Sequence, residues 1–137
     1  MKKNELDANM HHNIKRISLT HGEAYRKIWQ ESQAGAYVSY LRGKNCKTED
    51  DFLIEVAASF QFPYYYGENW PAFEDCIQDL EWLNFSKIFV IFDDFSTAFR
   101  DQPSIKSLLQ DRIIEYWSRA IDYWASEGKT VEVWLNN

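Results

Sequence analysis

Two adjacent carboxylates, Glu74 and Asp75, stand in a segment that reads YYYGENWPAFEDCIQDLEW from Tyr64 to Trp82. Helical spacing puts them on one stripe with Pro71, Gln78 and Trp82, opposite an apolar stripe of Phe73, Cys76, Ile77 and Leu80. Two carboxylates, an amide and an indole on one outward face, with three tyrosines just before them, suit docking into an Arg- or Lys-lined cleft. Carboxylates match guanidinium forks bidentately, and Tyr and Trp supply anchoring area. Residues 48–86 contain no Lys or Arg but carry nine acids: Glu49, Asp50, Asp51, Glu55, Glu68, Glu74, Asp75, Asp79 and Glu81. The chain has 21 acids and 15 bases, so this window holds −9 and the remainder, 12 acids against 15 bases, holds +3. Segregated negative charge attracts a basic partner and speeds its arrival. The plain alternative is a solvated acidic face, but exposed aromatics beside the acids are harder to explain by solubility alone.

Other chemistry is thinly represented. The sequence has no GxGxxG, Walker, HExxH or GxSxG signature. His11 and His12 are adjacent and so do not share a helix face; they read as exposed polar residues of a loose terminus rather than metal ligands. Cys46 follows a strand without a CxxC partner and reads as a quiet surface or semi-buried thiol; Cys76 falls on the inward stripe. Asp93 and Asp94 follow a strand at its C-terminal end, where α/β enzymes often hold catalytic acids. A loop-solvating pair is the simpler reading. No metal site and no cofactor is expected.

At 137 residues the chain reads as one domain, able to bury roughly two-thirds of its unfolded surface without a disulfide or metal. Two cysteines are no disulfide framework and fit a reduced compartment. Lys2 and Lys3 are followed by no apolar run of signal-peptide length, and no stretch approaches a membrane span. The expectation is a soluble cytoplasmic protein. A net charge of −6 argues against direct nucleic-acid binding.

The elements that must position the acidic face follow from periodicity. Residues 1 to about 13 are polar and unpatterned. Ile14–Leu19 alternates as a short strand, and His21–Gln33 patterns as a helix with Ala24, Ile28, Tyr25 and Trp29 toward the core. Ala36–Leu41 reads as a strand ended by Gly43. Thr48 with Asp51 forms a near capping box for a helix to about Phe60, which Pro63 stops. Asn69 is an N-cap with Pro71 in the first turn. Ile88–Phe92 has the continuous apolar pattern of a strand buried on both faces. Ser104–Ser126 reads as a long amphipathic helix, with Ile105, Leu108, Leu109, Ile113, Tyr116, Trp117, Ala120, Ile121 and Trp124 inward, ended by Gly128; Thr130–Leu135 is the last strand. Strands alternating with helices imply an α/β fold with a parallel sheet.

The run Pro63-Tyr64-Tyr65-Tyr66-Gly67-Glu68-Asn69-Trp70, with Ala72-Phe73 and Glu74-Asp75-Cys76 after it, closely resembles the barstar family of small inhibitors of barnase-like ribonucleases. The likeness continues more weakly through 37–43, 48–60 and 127–135, covering about 36–137. It implies a three-stranded parallel sheet with crossover helices over 36–137, and it leaves 1–35 as a partly flexible N-terminal extension with a possible edge strand and helix. It also implies inhibition by plugging: the loop and helix of the motif enter the nuclease cleft, and an aspartate takes the place of substrate phosphate. Asp75 matches that aspartate, and Tyr65, Gly67 and Asn69 match loop contact positions. Counting back from Gly128, a family acidic contact falls at Tyr123, beside Asp122. Pro71 stands where the family commonly has an aspartate, and Glu74 where it can have a bulky aromatic.

The resulting expectation is a non-enzymatic, immunity-type inhibitor of a basic ribonuclease or ribonuclease toxin. Its partner-binding surface comprises Tyr65, Tyr66, Gly67, Asn69, Glu74, Asp75, Gln78 and Tyr123. The alternatives are a binding module on this scaffold that recognises a different basic protein, such as another toxin, and an acid-dependent enzyme built on Asp93, Asp94 and Glu74 or Asp75.

Overall fold

The computed structural model describes residues 10–137. Residues 1–9, most of the expected loose terminus, lie outside the described residues. The elements in chain order are β1 (Ile14–Ile17), α1 (His21–Gln33), β2 (Tyr37–Arg42), α2 (Glu49–Phe60), α3 (Trp70–Ile77), β3 (Lys87–Asp93), α4 (Lys106–Ser126) and β4 (Thr130–Asn136). Short 3-10 turns at Gly43–Asn45 and Phe95–Thr97 follow β2 and β3.

The strands form one parallel sheet in the order β1-β4-β3-β2. The fold is α/β as the pattern implies, with four strands rather than three. The extra strand is β1, which adds to the β4 edge with Ile14 opposite Val133. β3 lies inside the sheet and its side chains from Ile88 to Asp93 are all buried. Ile88, Val90 and Phe92 join the main core under α2, α3 and α4; Phe89 and Ile91 face a smaller cluster under α1. Phe52 shows how tightly the main core is tied: its ring packs on Trp70, Phe73, Phe92 and Phe99. Truncating such a residue to Ala typically costs about 3–5 kcal/mol.

Local chemistry sets the helix starts. Thr48 accepts from the Asp51 amide while Asp51 accepts from the Thr48 amide, a complete capping box; Thr20 and Glu23 build the same device for α1. Gly43 is required by a close approach, since a Cβ there would fall 2.2 Å from the Asp94 carbonyl oxygen.

Several expectations change. Tyr25 and Trp29 are each 63% exposed rather than inward. α1 meets its side of the sheet mainly through Ala24 and Ile28, so its remaining stripe faces solvent. Leu108 is also exposed, within the first turn of a helix that starts at Lys106. Cys46 is fully buried. Order begins before residue 14: Met10 packs on the core, Asn13 Nδ2 donates to the Val131 carbonyl, and His11 pairs with Asp122 at 2.9 Å.

Asp93 is buried rather than loop-solvating. Its carboxylate accepts from Tyr40 Oη at 3.0 Å and Asn136 Nδ2 at 2.8 Å, and His21 Nδ1 lies 3.3 Å away. Asn136 in turn accepts from the Leu19 amide at 2.6 Å. The carboxylate thus ties β2, β3, β4 and the β1–α1 connection together. Burial, reinforced by Asp93, pushes the Tyr40 hydroxyl up to about 12.

Candidate functional site

α3 is short because its ends are fixed by sequence. Asn69 caps it, with Oδ1 accepting from the Ala72 amide at 2.9 Å, and Pro71 occupies the first turn, where no backbone N–H is needed. The helix stops at Ile77, and Leu80 then takes a positive φ of 47° to turn the chain toward β3. Phe73, Cys76, Ile77 and Leu80 are buried. Burial raises the Cys76 thiol pKa.

That packing leaves the opposite stripe outward. Asp75 is exposed, and no hydrogen bond or ion pair engages its carboxylate among the described residues. Glu74 is half-buried and already bonded to Arg119 Nε of α4. Gln78 is the half-buried C-cap. Trp82, expected on the outward stripe, lies beyond the helix, donates from Nε1 to the Phe60 carbonyl at 2.8 Å and packs on the core. It belongs to the scaffold.

The preceding loop divides by role. Tyr65 is 61% exposed and its hydroxyl donates to Asp79 at 3.3 Å. Tyr66 turns inward: its hydroxyl donates to the Leu53 carbonyl at 3.2 Å and its ring packs edge-on against Phe62. Gly67 is exposed, and a Cβ there would sit 3.0 Å from Asn69 Nδ2. Asn69 spends its side chain on the cap and on the Gly67 carbonyl. Tyr123 is at the edge of the face, 36% exposed and edge-on to Trp124. Asp122 beside it is engaged by His11.

The structure therefore brings Tyr65, Gly67, Glu74, Asp75 and Gln78 to one surface with Tyr123 at its margin, while Tyr66 and the Asn69 side chain build the loop from within. Three neighbours escaped the sequence reading. Tyr64, at the loop tip, is 101% exposed. Its signal was present in the tyrosine run. Arg112 and Arg119 of α4 stand beside α3 across more than 40 residues of chain, and nothing local announces that contact. The Glu74 bond holds the Arg119 pKa above its usual range.

Elsewhere, an open cavity of about 290 Å³ at the β2 edge is lined by Tyr40, Arg42, Glu55, Ala58 and Ser59. Arg42 and Glu55 satisfy one another there through Nε and Nη2. Among the described residues, no group of three or more His, Cys, Asp or Glu could hold a metal ion, and no helix is long and apolar enough to cross a membrane.

The family model described as Barstar (barnase inhibitor) matches residues 36–136. No curated protein matches the chain.

Proposed function

The chain belongs to the barstar family, a family of inhibitors rather than enzymes, and on that premise we propose that it inhibits a basic ribonuclease by plugging its active site. The observation that carries the reading is Asp75, an exposed carboxylate without a partner among the described residues, held on a rigid helix beside Tyr65. A carboxylate so placed offers a cationic cleft the charge of a substrate phosphate without a scissile bond. Tyr65 and the fully exposed Tyr64 supply aromatic area at the loop tip. Glu68 and Glu81, both exposed, and Asp79 extend the negative field that steers a basic enzyme toward the face. Tyr66 and Asn69 act in this reading by shaping the loop, and Gln78 and Tyr123 border the contact. Within the described part of residues 1–35, β1 and α1 extend the 36–137 domain at the β4 edge and on the Phe89–Ile91 side of the sheet. The protein works in the cytoplasm as an immunity partner to a ribonuclease or ribonuclease toxin.

The test is capture from a panel of purified barnase-like and toxin ribonucleases. A one-to-one complex is expected, with an association rate that falls steeply between about 0.01 and 1 M salt as the Debye length shrinks from roughly 30 to 3 Å. Capture of a basic protein without nuclease activity, and of no ribonuclease, moves the function to a binding module for another basic protein.

A further inference from the structure

We propose that the docking face is bipolar, and that Arg112 is a specificity-determining residue that favours a ribonuclease whose basic cleft carries a carboxylate on one wall. This rests on the reading of the α3 face as the ribonuclease-docking surface. α4 presents Arg112, Tyr116, Arg119 and Tyr123 along one stripe beside α3. The two arginines stand two turns apart, roughly 10 Å along the axis.

The two guanidinium groups are not equivalent. Arg119 bonds both Glu74 and Glu115 and lies 4.4 Å from the centre of the Tyr116 ring, so its charge is satisfied within the molecule. Arg112 lies 5.4 Å from the centre of the Trp70 ring, and no carboxylate reaches it among the described residues. The ring beneath it is fixed: Trp70 Nε1 donates to Glu49 at 3.0 Å, and the indole stacks on Phe52 and meets Tyr116 edge-on. Arg112 is therefore a placed cation. The next residue along from Trp70 is Pro71, which brings no charge to this corner.

The loop side of α3 is the reverse, with Glu68, Asp75, Asp79 and Glu81 and no Lys or Arg between residues 48 and 86. Arg112 thus sets one positive charge without a carboxylate partner beside an otherwise acidic face. A partner that is cationic throughout meets like charge at Arg112, which opposes association. A guanidinium held over an aromatic ring without a carboxylate partner keeps donor N–H groups for bidentate pairing, and a carboxylate fits that fork.

The test measures inhibition and association rates of the full-length chain with a ribonuclease from the panel above whose cleft is cationic throughout, for wild type, Arg112→Gln, Arg112→Glu and Asp75→Ala, with thermal unfolding as a folding control. Arg112→Glu is expected to tighten the complex at least ten-fold, chiefly through association rate, with the gain fading toward 1 M salt. Arg112→Gln should fall between and suffices alone should Arg112→Glu not fold. Equal or weaker inhibition by the Arg112 variants, with Asp75→Ala still weakening the complex, overturns this inference and leaves the docking reading intact. No binding by any variant, Arg112→Glu included, to any ribonuclease of the panel overturns both. Retention of a short RNA oligonucleotide by wild type, lost in Arg112→Gln, overturns it differently by assigning the cation to nucleic acid.

Discussion

Asp75→Ala separates a plug from a diffuse acidic patch. The carboxylate is exposed and makes no hydrogen bond or ion pair among the described residues, so its removal should alter folding by no more than about 0.5 kcal/mol. In the proposed complex it would be desolvated against cations, and truncation would leave those cations buried and unpaired. That loss is on the order of 2–5 kcal/mol, mostly as faster dissociation, or roughly 30- to 4,000-fold in Kd at 1.4 kcal/mol per decade. The control must be an acid in the same window whose side chain has no bonded partner. Glu49 does not qualify, because it anchors the Trp70 indole at 3.0 Å. Asp50 does: it is exposed in the first turn of α2. Asp50→Ala should cost folding only about 0.3–1 kcal/mol through the helix dipole and should slow association without changing dissociation. Stopped-flow association, chase dissociation and urea unfolding give all three quantities. Equal weakening by both substitutions, confined to association rate, refutes the reasoning: Asp75 then contributes only to the field and does not mimic phosphate.

Asp93→Ala should destabilise the fold by about 2–4 kcal/mol in urea, because it strands the Tyr40 hydroxyl and the Asn136 amide, each worth about 1–3 kcal/mol when buried and unpaired; a loss below 0.5 kcal/mol contradicts the tie described above. Both thiols should resist labelling until the chain unfolds, since Cys46 is fully buried with its pKa pushed up to about 12 and burial also raises Cys76; rapid native labelling of Cys76 would mean that α3 is rotated. Burial opposes ionisation of Glu31 and Glu132, yet Lys87 bonds to both, with help from Lys27 and Trp134, and holds their pKa values below the ordinary 4.5. Depressed carboxylates stabilise the fold fully above that value and lose the contribution as pH falls through the lowered folded pKa. Acid unfolding should therefore be less steep in Glu31→Gln, and an unchanged acid limb rules the cluster out as a source of pH dependence.

The sequence carried most of what depends on local or periodic signals. The capping box at Thr48, the uninterrupted apolar run of β3 and the exposure of Asp75 opposite buried Cys76 all follow from spacing of a few residues. It failed where contacts are distant or partial. Tyr25 and Trp29 fit a helical stripe, but α1 covers only a narrow part of the sheet, and periodicity does not give the width of the surface beneath a helix. Extending α3 beyond Ile77 puts Trp82 on the outward stripe, but the turn at Leu80 breaks the period. The burial of Asp93 depends on Tyr40 and Asn136, more than 40 residues away in each direction. The Glu74–Arg119 pair depends on α3 and α4 lying side by side. The N-terminal strand was visible as alternation, but its pairing with β4 joins opposite ends of the chain.

The central claim is that Asp75 and its neighbours block a nuclease active site. Its most direct measurement is a titration of a captured ribonuclease with the protein, using a dinucleotide substrate too small to be excluded by a contact elsewhere on the enzyme. Active-site blockage predicts a linear fall in activity to zero at one equivalent. A saturated one-to-one complex that still cleaves the dinucleotide at the free enzyme's rate would contradict it.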